Sequence, residues 1–456
     1  MAVIAIFIIG ADILLLWSLA VMSRFAIKYS NFNGMISNLM FKNTVLLSVL
    51  LMVSCGASVK KKEEREKKKE VSAEKSKLEI KTGAENTYAY LPLLKNKKVG
   101  IVTNQTGIVS TIKFNAAADP RNESITHVNE SLVDYLIIRE INIIKIFAPE
   151  HGFRGTADAG EHVVDGKDAK TGLPIISLYG DNKKPKREQL AGIDILVFDL
   201  QDVGARFYTY ISTLHYIMEA CAENNIQLIV LDRPNPNGGI VDGPTLEKEF
   251  SSFVGMHPIP LLHGMTIGEY AQMINGEKWL KDGVQCKLTV IPCLNYNREM
   301  FYSLPVKPSP NLPNDQAINL YASLCLFEGT NVSAGRGSEK QFQIYGSPFL
   351  QKSDFCFTPI PNFGAKEPPF KNQLCYGEDL TSFPKVKQLE LKWLLKAYRE
   401  TADKTKFFTP FFTKLAGTKK LQQQIEAGTS ETDIRKSWQK GLANFKVMRK
   451  KYLLYN

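Results

Sequence analysis

The stretch FAPEHGFRG, Phe147 to Gly155, sets a carboxyl beside an imidazole, Glu150 and His151, at the end of the apolar run IIKIF in a chain with 6 histidines. A glutamate leaving a buried strand between Pro149, His151 and Phe153 is partly desolvated. Desolvation disfavours the charged carboxylate and moves the group toward the range in which it serves as a general acid. The structural alternative is a pair with Arg154 that merely holds the loop. His151 is then a partner for the carboxyl or for a sugar hydroxyl. Downstream lie Asp158, Glu161 and His162, but glycines separate the two histidines, which lack the i,i+4 helical spacing of zinc hydrolases. A metal site is not expected.

Three further segments carry polar chemistry. DLQDVGARFYTY supplies Asp199, Gln201, Asp202, Arg206, Tyr208 and Tyr210. Alternating polar and aromatic groups suit a carbohydrate, whose apolar ring face stacks on aromatics while its hydroxyls bond to Asp, Gln and Arg. Tyr210 is equally well placed to pack inward as the first turn of a following helix. DRPNPNGG adds Asp232, Arg233 and Asn235; EGTNVSAGRG adds Glu328, Asn331 and Arg336 on a glycine-rich segment able to close over a cleft. Arg154, Arg206, Arg233 and Arg336 all fall in loops, and clustered guanidinium groups recognise a carboxylate or phosphate. Several arginines and carboxyls with aromatics, without a Ser-His-Asp order, fit cleavage of an acidic sugar.

These loops need a frame, and the chain provides one. KKVGIVT, INIIKIF, IDILVFDL and IQLIVLD are continuous apolar runs of the kind buried on both faces of a parallel sheet. Between them SLVDYLIIRE and TYISTLHYIMEACAENN carry apolar residues at helical spacing. Repeated strand, helix and strand predict a doubly wound α/β domain, in which ligands bind beyond the carboxyl ends of the strands. TNQTG, with Asn104 and Gln105, APEHGFRG, QDVGARFYTY and RPNPNGG all begin there. No GxGxxG follows the first run and no GxxxxGKS occurs, so no dinucleotide or other cofactor is expected. TIGEYAQMINGEKWL predicts a helix and CKLTVIPC a short strand. The proline-rich LPVKPSPNLPNDQ predicts irregular chain, and beyond it a second α/β region ends in a helix from about Ser430.

The 456 residues, 44% hydrophobic and 23% charged, are enough for two domains. The net charge is +11, and one lysine-rich block, KKKEEREKKKE, mixes its basic residues with glutamate, as in a solvated tether rather than a nucleic-acid groove. Before it, Lys42, the run TVLLSVLLMVS and Cys55 match a bacterial lipoprotein signal. Residues 1–39 then read as an over-extended start ahead of Met40, and the alternative is a pair of membrane helices. Export and a lipid anchor to the membrane through Cys55 are expected. The remaining cysteines form an even set compatible with disulfides, although buried free thiols suit most of them better.

On VGIVTNQTG, IFAPEHGFRG, TGLPIISLYG, DILVFDLQDVGARFYTYIST, LDRPNPNGG, VGMHPIPLLHGMTIGEYAQM, PSPNLP and FEGTNVSAGRG, the chain closely resembles the NamZ-type exo-β-N-acetylmuramidases, a glycoside hydrolase family. The resemblance runs from Val99 to the C-terminus. Where relatives read GRGT-x-x-PF, this chain has GRGSEKQF, with Ser338 for Thr and Gln341 for Pro. The resemblance implies a Rossmann-like catalytic domain, a smaller C-terminal α/β auxiliary domain and a cleft between them. Together with the composition it suggests residues 1–55 as signal, 56–87 as tether, 88–293 as catalytic domain and 294–456 as auxiliary domain. It also implies release of terminal N-acetylmuramic acid from the non-reducing end of peptidoglycan fragments, with Glu150 as acid and the arginines gripping the lactyl carboxylate. Asp199, Asp202 and Asp232 are candidates for a second carboxyl, unless the substrate's acetamido group attacks in its place. A binding lipoprotein without catalysis would use the same arginines and aromatics and dispense with Glu150.

Overall fold

The computed structural model describes residues 79–115, 124–154 and 165–456. Cys55, the leader and most of the tether lie outside the described residues, as do Asp158, Glu161 and His162. The four apolar runs become strands β1 (Val99–Thr103), β4 (Ile143–Ala148), β7 (Ile195–Asp199) and β8 (Gln227–Leu231), alongside β2 (Ile108–Asn115), β3 (Ser124–Ser131), β5 (Gly166–Lys167), β6 (Pro174–Ser177) and β9 (Lys287–Ile291). Seven of them build one sheet in the order β5-β6-β4-β1-β7-β8-β9. Every pairing in it is parallel except the β5 edge. From β1 the chain winds outward first through β4 and β6, then on the other side through β7, β8 and β9. The order therefore reverses beside β1, the place where an open parallel sheet offers a crevice.

Successive side chains on a strand face opposite ways, so each apolar run feeds two cores. Leu196, Phe198, Leu228 and Val230 join one cluster with Val102. Ile195, Val197, Ile229 and Leu231 join the other with Val99 and Ile101. The first cluster takes the helices Tyr210–Glu223 and Ile267–Gly276, and the second takes Thr87–Leu94 and Leu132–Ile138. Burial on both faces is why these strands lack alternation. The helix read in TIGEYAQMINGEKWL starts at a reciprocal cap in which the Thr266 hydroxyl accepts from the Glu269 amide and the Glu269 carboxylate accepts from the Thr266 amide. CKLTVIPC becomes β9, the last strand of the sheet.

Beyond the proline-rich passage come the helix Asp315–Leu324 and strands β10 (Ile344–Ser347), β11 (Cys356–Phe357) and β12 (Cys375–Asp379), an antiparallel sheet in the order β10-β12-β11. The terminal helix Glu431–Arg449 is capped by Ser430. Glu79–Asn456 form one compact unit, and residues from both halves share the first core cluster.

Two features depart from the sequence reading. Residues 79–87, assigned to the tether, are packed: Lys81 exchanges backbone hydrogen bonds with Leu294, and the Gly83 amide donates to the Asp232 carbonyl at 2.7 Å. A side chain at Gly83 would meet the Ile291 carbonyl at 2.3 Å, so only glycine lets this segment lie against the sheet. β2 and β3 form a hairpin after TNQTG that the sequence reading did not assign. The cysteines Cys221, Cys286, Cys293, Cys325, Cys356 and Cys375 are free thiols, all buried except Cys356, in line with the sequence reading of most of them.

Candidate active site

The loop after β1 shapes the floor of the site. Asn104 Oδ1 accepts from the Thr106 amide at 2.9 Å and hydroxyl at 2.6 Å, and its Nδ2 donates to the Tyr210 hydroxyl at 2.5 Å. Burial first, and the nearby Glu150 charge second, push the Tyr210 phenol up, so it stays protonated. The loop after β4 delivers Glu150, whose Oε2 accepts from the Thr209 hydroxyl at 2.8 Å. Immediately after it, His151 and Gly152 both take φ of 73°, in the left-handed region. For histidine this costs of order 1 kcal/mol, a strain that recurs at functional sites. The reversal folds His151 under the loop, where it is 4% exposed.

The facing wall comes from the second half of the chain. Tyr321, on the helix Asp315–Leu324, packs edge-on against Phe207 at 5.2 Å and Phe342 at 4.9 Å between ring centroids. Glu328, in the tight turn that continues this helix, accepts from Arg336 Nε at 2.5 Å. Burial works against the Arg336 charge, but Glu328 outweighs it and raises the pKa. Together the walls enclose a cavity of ≈ 220 Å³ lined by Glu150, His151, Tyr208, Thr209, Glu328 and Arg336, with Tyr179, Phe253, Tyr321, Phe342 and Phe411 as aromatic surface.

The structure therefore brings together five of the sequence candidates: Glu150, His151, Tyr208, Glu328 and Arg336. Others are not in this lining. Arg206 is fully buried and donates to the carbonyls of Pro244, Ile259, Leu415 and Ala416 at 2.7–3.0 Å, so it bonds backbone where a substrate anion was expected. Arg233 clasps Asp199 with two bonds, 2.6 and 2.9 Å, and both are buried. Burial pulls the Arg233 pKa down and Asp199 more than restores it, while at Asp199 burial outweighs the pull of Arg233 and pushes the carboxyl up. Asp232 accepts from Thr266 Oγ1, the Gly268 amide and the Tyr455 hydroxyl at 2.6–2.7 Å. Burial pushes its carboxyl up to about 6 against the pull of those bonds. Asp202 caps the Gly204 amide at 2.7 Å.

The remaining candidates shape loops. Gln201 Nε2 donates to the Asp202 and Pro234 carbonyls, and Asn235 Nδ2 donates to Met265 O while its Oδ1 accepts from the Asn237 amide. Gln105 Nε2 reaches the carbonyls of Lys307 and Pro308. Arg154 pairs with Asp168 at 2.8 Å, not with Glu150, and its backbone neighbour Phe153 is buried. The Asn331 amide donates to Phe407 O. Thus the two carboxyl groups in the cavity lining, among the described residues, are Glu150 and Glu328. Asp199, Asp202 and Asp232 stand in buried networks outside it.

Sequence reasoning missed Thr209, Tyr321, Phe342 and Asn311. Asn311 was legible in one respect: in Pro308-Ser309-Pro310-Asn311-Leu312-Pro313, prolines stiffen the chain on both sides of one polar residue. It lines the cavity, is 1% exposed, and donates from Nδ2 to Gly364 O.

Residues 99–316 match the family model described as exo-beta-N-acetylmuramidase NamZ, N-terminal, and residues 319–455 match exo-beta-N-acetylmuramidase NamZ, C-terminal. The chain is 42% identical over 390 residues to the peptidoglycan beta-N-acetylmuramidase NamZ of Bacillus subtilis (strain 168), which covers 80% of this chain and 89% of that protein. Two crystal structures of DUF1343 family proteins from Bacteroides fragilis NCTC 9343 share the fold. One has a TM-score of 0.74 at 44% identity and the other 0.66 at 30%, each covering 83% of this chain and 99% of its own.

The assignment of Arg206 yields a prediction. Arg206→Ala strips the donors from four buried carbonyls and lowers unfolding free energy by roughly 3 kcal/mol or more, read from urea unfolding. Unchanged stability with a raised KM would return Arg206 to the substrate.

Proposed function

This chain belongs to the exo-β-N-acetylmuramidase NamZ family and is a glycoside hydrolase of peptidoglycan fragments, and we propose that its Glu150 cavity releases their terminal N-acetylmuramic acid from the non-reducing end. One observation carries this: a carboxyl acid and a guanidinium line the same ≈ 220 Å³ space. Pockets for drug-sized ligands run to ~300–1,000 Å³. A smaller cavity suits one sugar ring at a chain end and not a glycan threaded through.

Glu150 donates its proton to the glycosidic oxygen as the bond from that oxygen to C1 of the muramic acid breaks. The leaving sugar departs as an alcohol. Water supplies the hydroxyl that ends on C1, and its other proton restores Glu150. This acid step is common to inverting, retaining and acetamido-assisted routes. Thr209, donating to Oε2, fixes the carboxyl's rotamer, and the protonated Tyr210 below it adds no competing charge. Arg336 holds the lactyl carboxylate: Glu328 takes its Nε hydrogen, so the terminal nitrogens are the donors for a second carboxylate. Tyr208, Tyr321 and Phe342 give the apolar face of the ring a surface to lie on.

We also infer that the protein is exported and lipid-anchored at Cys55, on the strength of Lys42, the apolar run and the small residue before the cysteine. Fatty-acid labelling should mark the expressed protein and miss Cys55→Ala; label on both would remove the anchor.

Two enzymatic tests bear on the site. Glu150→Gln should cut hydrolysis of a chromogenic N-acetylmuraminide by about 10²–10⁴-fold while still binding the sugar. Equal turnover would end the assignment of the acid. Arg336→Met should lower the preference for N-acetylmuramic acid over N-acetylglucosamine, measured as the ratio of their binding constants, by roughly 10- to 100-fold. An unchanged ratio would place the carboxylate elsewhere.

A further inference from the structure

An exo-acting cavity holds the terminal sugar, so the rest of the substrate must leave through the mouth and lie on whatever borders it. The loop between β11 and β12 packs against Asn311, which lines the cavity, and against Gly337, which follows the lining residue Arg336. Its backbone is fastened to the cavity wall at several points: Asn311 Nδ2 donates to Gly364 O at 2.5 Å, the Ile360 amide donates to Gly337 O at 2.8 Å, and Asn362 Nδ2 donates to Ser338 O at 3.1 Å. Contact is close as well. A Cβ on Gly337 would lie 2.6 Å from Pro368, and one on Gly364 would lie 3.0 Å from Asn311 Oδ1. Gly337 directly follows Arg336, and Asn311 lines the cavity. The loop is therefore as fixed as the wall it hangs on.

This fixed loop presents large apolar side chains to solvent. Phe363 is 65% exposed and Ile360 60% exposed, although each sits one or a few residues from a buried anchor. A chain that buries Asn311 and Gly337 against this loop but turns a phenylalanine outward leaves an apolar platform beside a sugar-binding cavity. Adjacent Cα atoms are about 3.8 Å apart, so Phe363 begins within about one sugar ring of the Asn311 amide. Exposed apolar surface rimmed by polar groups marks a ligand groove or a partner. Continuity with the cavity favours the ligand that is already covalently attached to the sugar inside it.

Resting on the proposed cleavage, we propose that the loop Pro359–Phe370 forms the subsite for the first sugar of the leaving fragment, with Phe363 stacking on its apolar face and Ile360 flanking it. Burial of one ring face against these side chains strengthens binding of the fragment over binding of the released monosaccharide. It also orients the glycosidic oxygen toward Glu150, which is the part of the reaction that a monosaccharide product cannot test.

Calorimetry in the full-length Glu150→Gln background, where substrate persists, tests this. N-acetylmuramic acid is compared with the disaccharide carrying N-acetylglucosamine on its leaving side. Phe363→Ala should reduce the disaccharide's advantage in Kd over the monosaccharide by roughly tenfold. Phe363→Tyr, which retains the ring, should restore it. An advantage that survives Phe363→Ala overturns the subsite alone. A loss seen only with fragments bearing stem peptide overturns it in favour of peptide recognition. Failure of the parent to bind either ligand overturns the cavity assignment and the subsite with it.

Discussion

A guanidinium without a carboxylate partner holds the two walls of the site together. Arg206 donates to Pro244 and Ile259 on one side and to Leu415 and Ala416 on the other, entirely away from water. Burial pushes its pKa down to about 9, still above neutrality, so it remains a cation balanced only by carbonyl dipoles. The next three residues, Phe207, Tyr208 and Thr209, line the cavity, and so does Leu415, one of its acceptors. Gly417 lies so close that a Cβ there would sit 2.4 Å from the guanidinium. The geometry around Glu150 depends on Thr209, and Thr209 depends on where Arg206 fixes the chain.

The other buried charges complete the frame in the same manner. Asp199 ends β7, and its pair with Arg233, just past the end of β8, fastens two adjacent strands at the carboxyl edge. Arg233 also donates to Ile108 O, which begins the hairpin β2 and β3. Asp232 draws Tyr455 onto the sheet, fastening the end of the chain. A desolvated ion pair contributes little net stability, yet breaking one by removing a partner costs ~3–5 kcal/mol. Such groups fix geometry even where they add little energy. Among the described residues, the carboxyl and guanidinium groups that line the cavity are those of Glu150, Glu328 and Arg336.

This explains what was legible in the sequence. Continuous apolar runs gave β1, β4, β7 and β8 because burial on both faces leaves no other composition. The short β6 and the two-residue β5 carry too few residues to show a pattern. Glu150 and His151 stood out because a chain that merely leaves a strand has no need of them. Asp199, Asp202, Asp232, Arg206 and Arg233 stood out for the same reason, and there composition misled. A charged residue in a loop at the carboxyl edge looks the same whether it faces a ligand or a carbonyl, and only the distance between Arg206 and residues some 200 positions later separates the two. Phe342 and Tyr321 were not singled out in the sequence; they are core on one side and cavity on the other, and a buried aromatic carries no sign of which.

On the proposed reading of Arg336, its pair with Glu328 accounts for a carboxylate inside a pocket that binds an anion. Between substrates, an unpartnered guanidinium in a cavity walled by aromatics would be a desolvated charge, drawing in small anions or turning toward bulk water. Glu328 on Nε prevents both and aligns the planar group, which also lies over the Phe342 ring with its central carbon 5.3 Å from the centroid. In the proposed binding mode the terminal nitrogens would meet a lactyl carboxylate without first losing rotational freedom. Two carboxylates on one guanidinium leave the occupied site one charge more negative than the empty one.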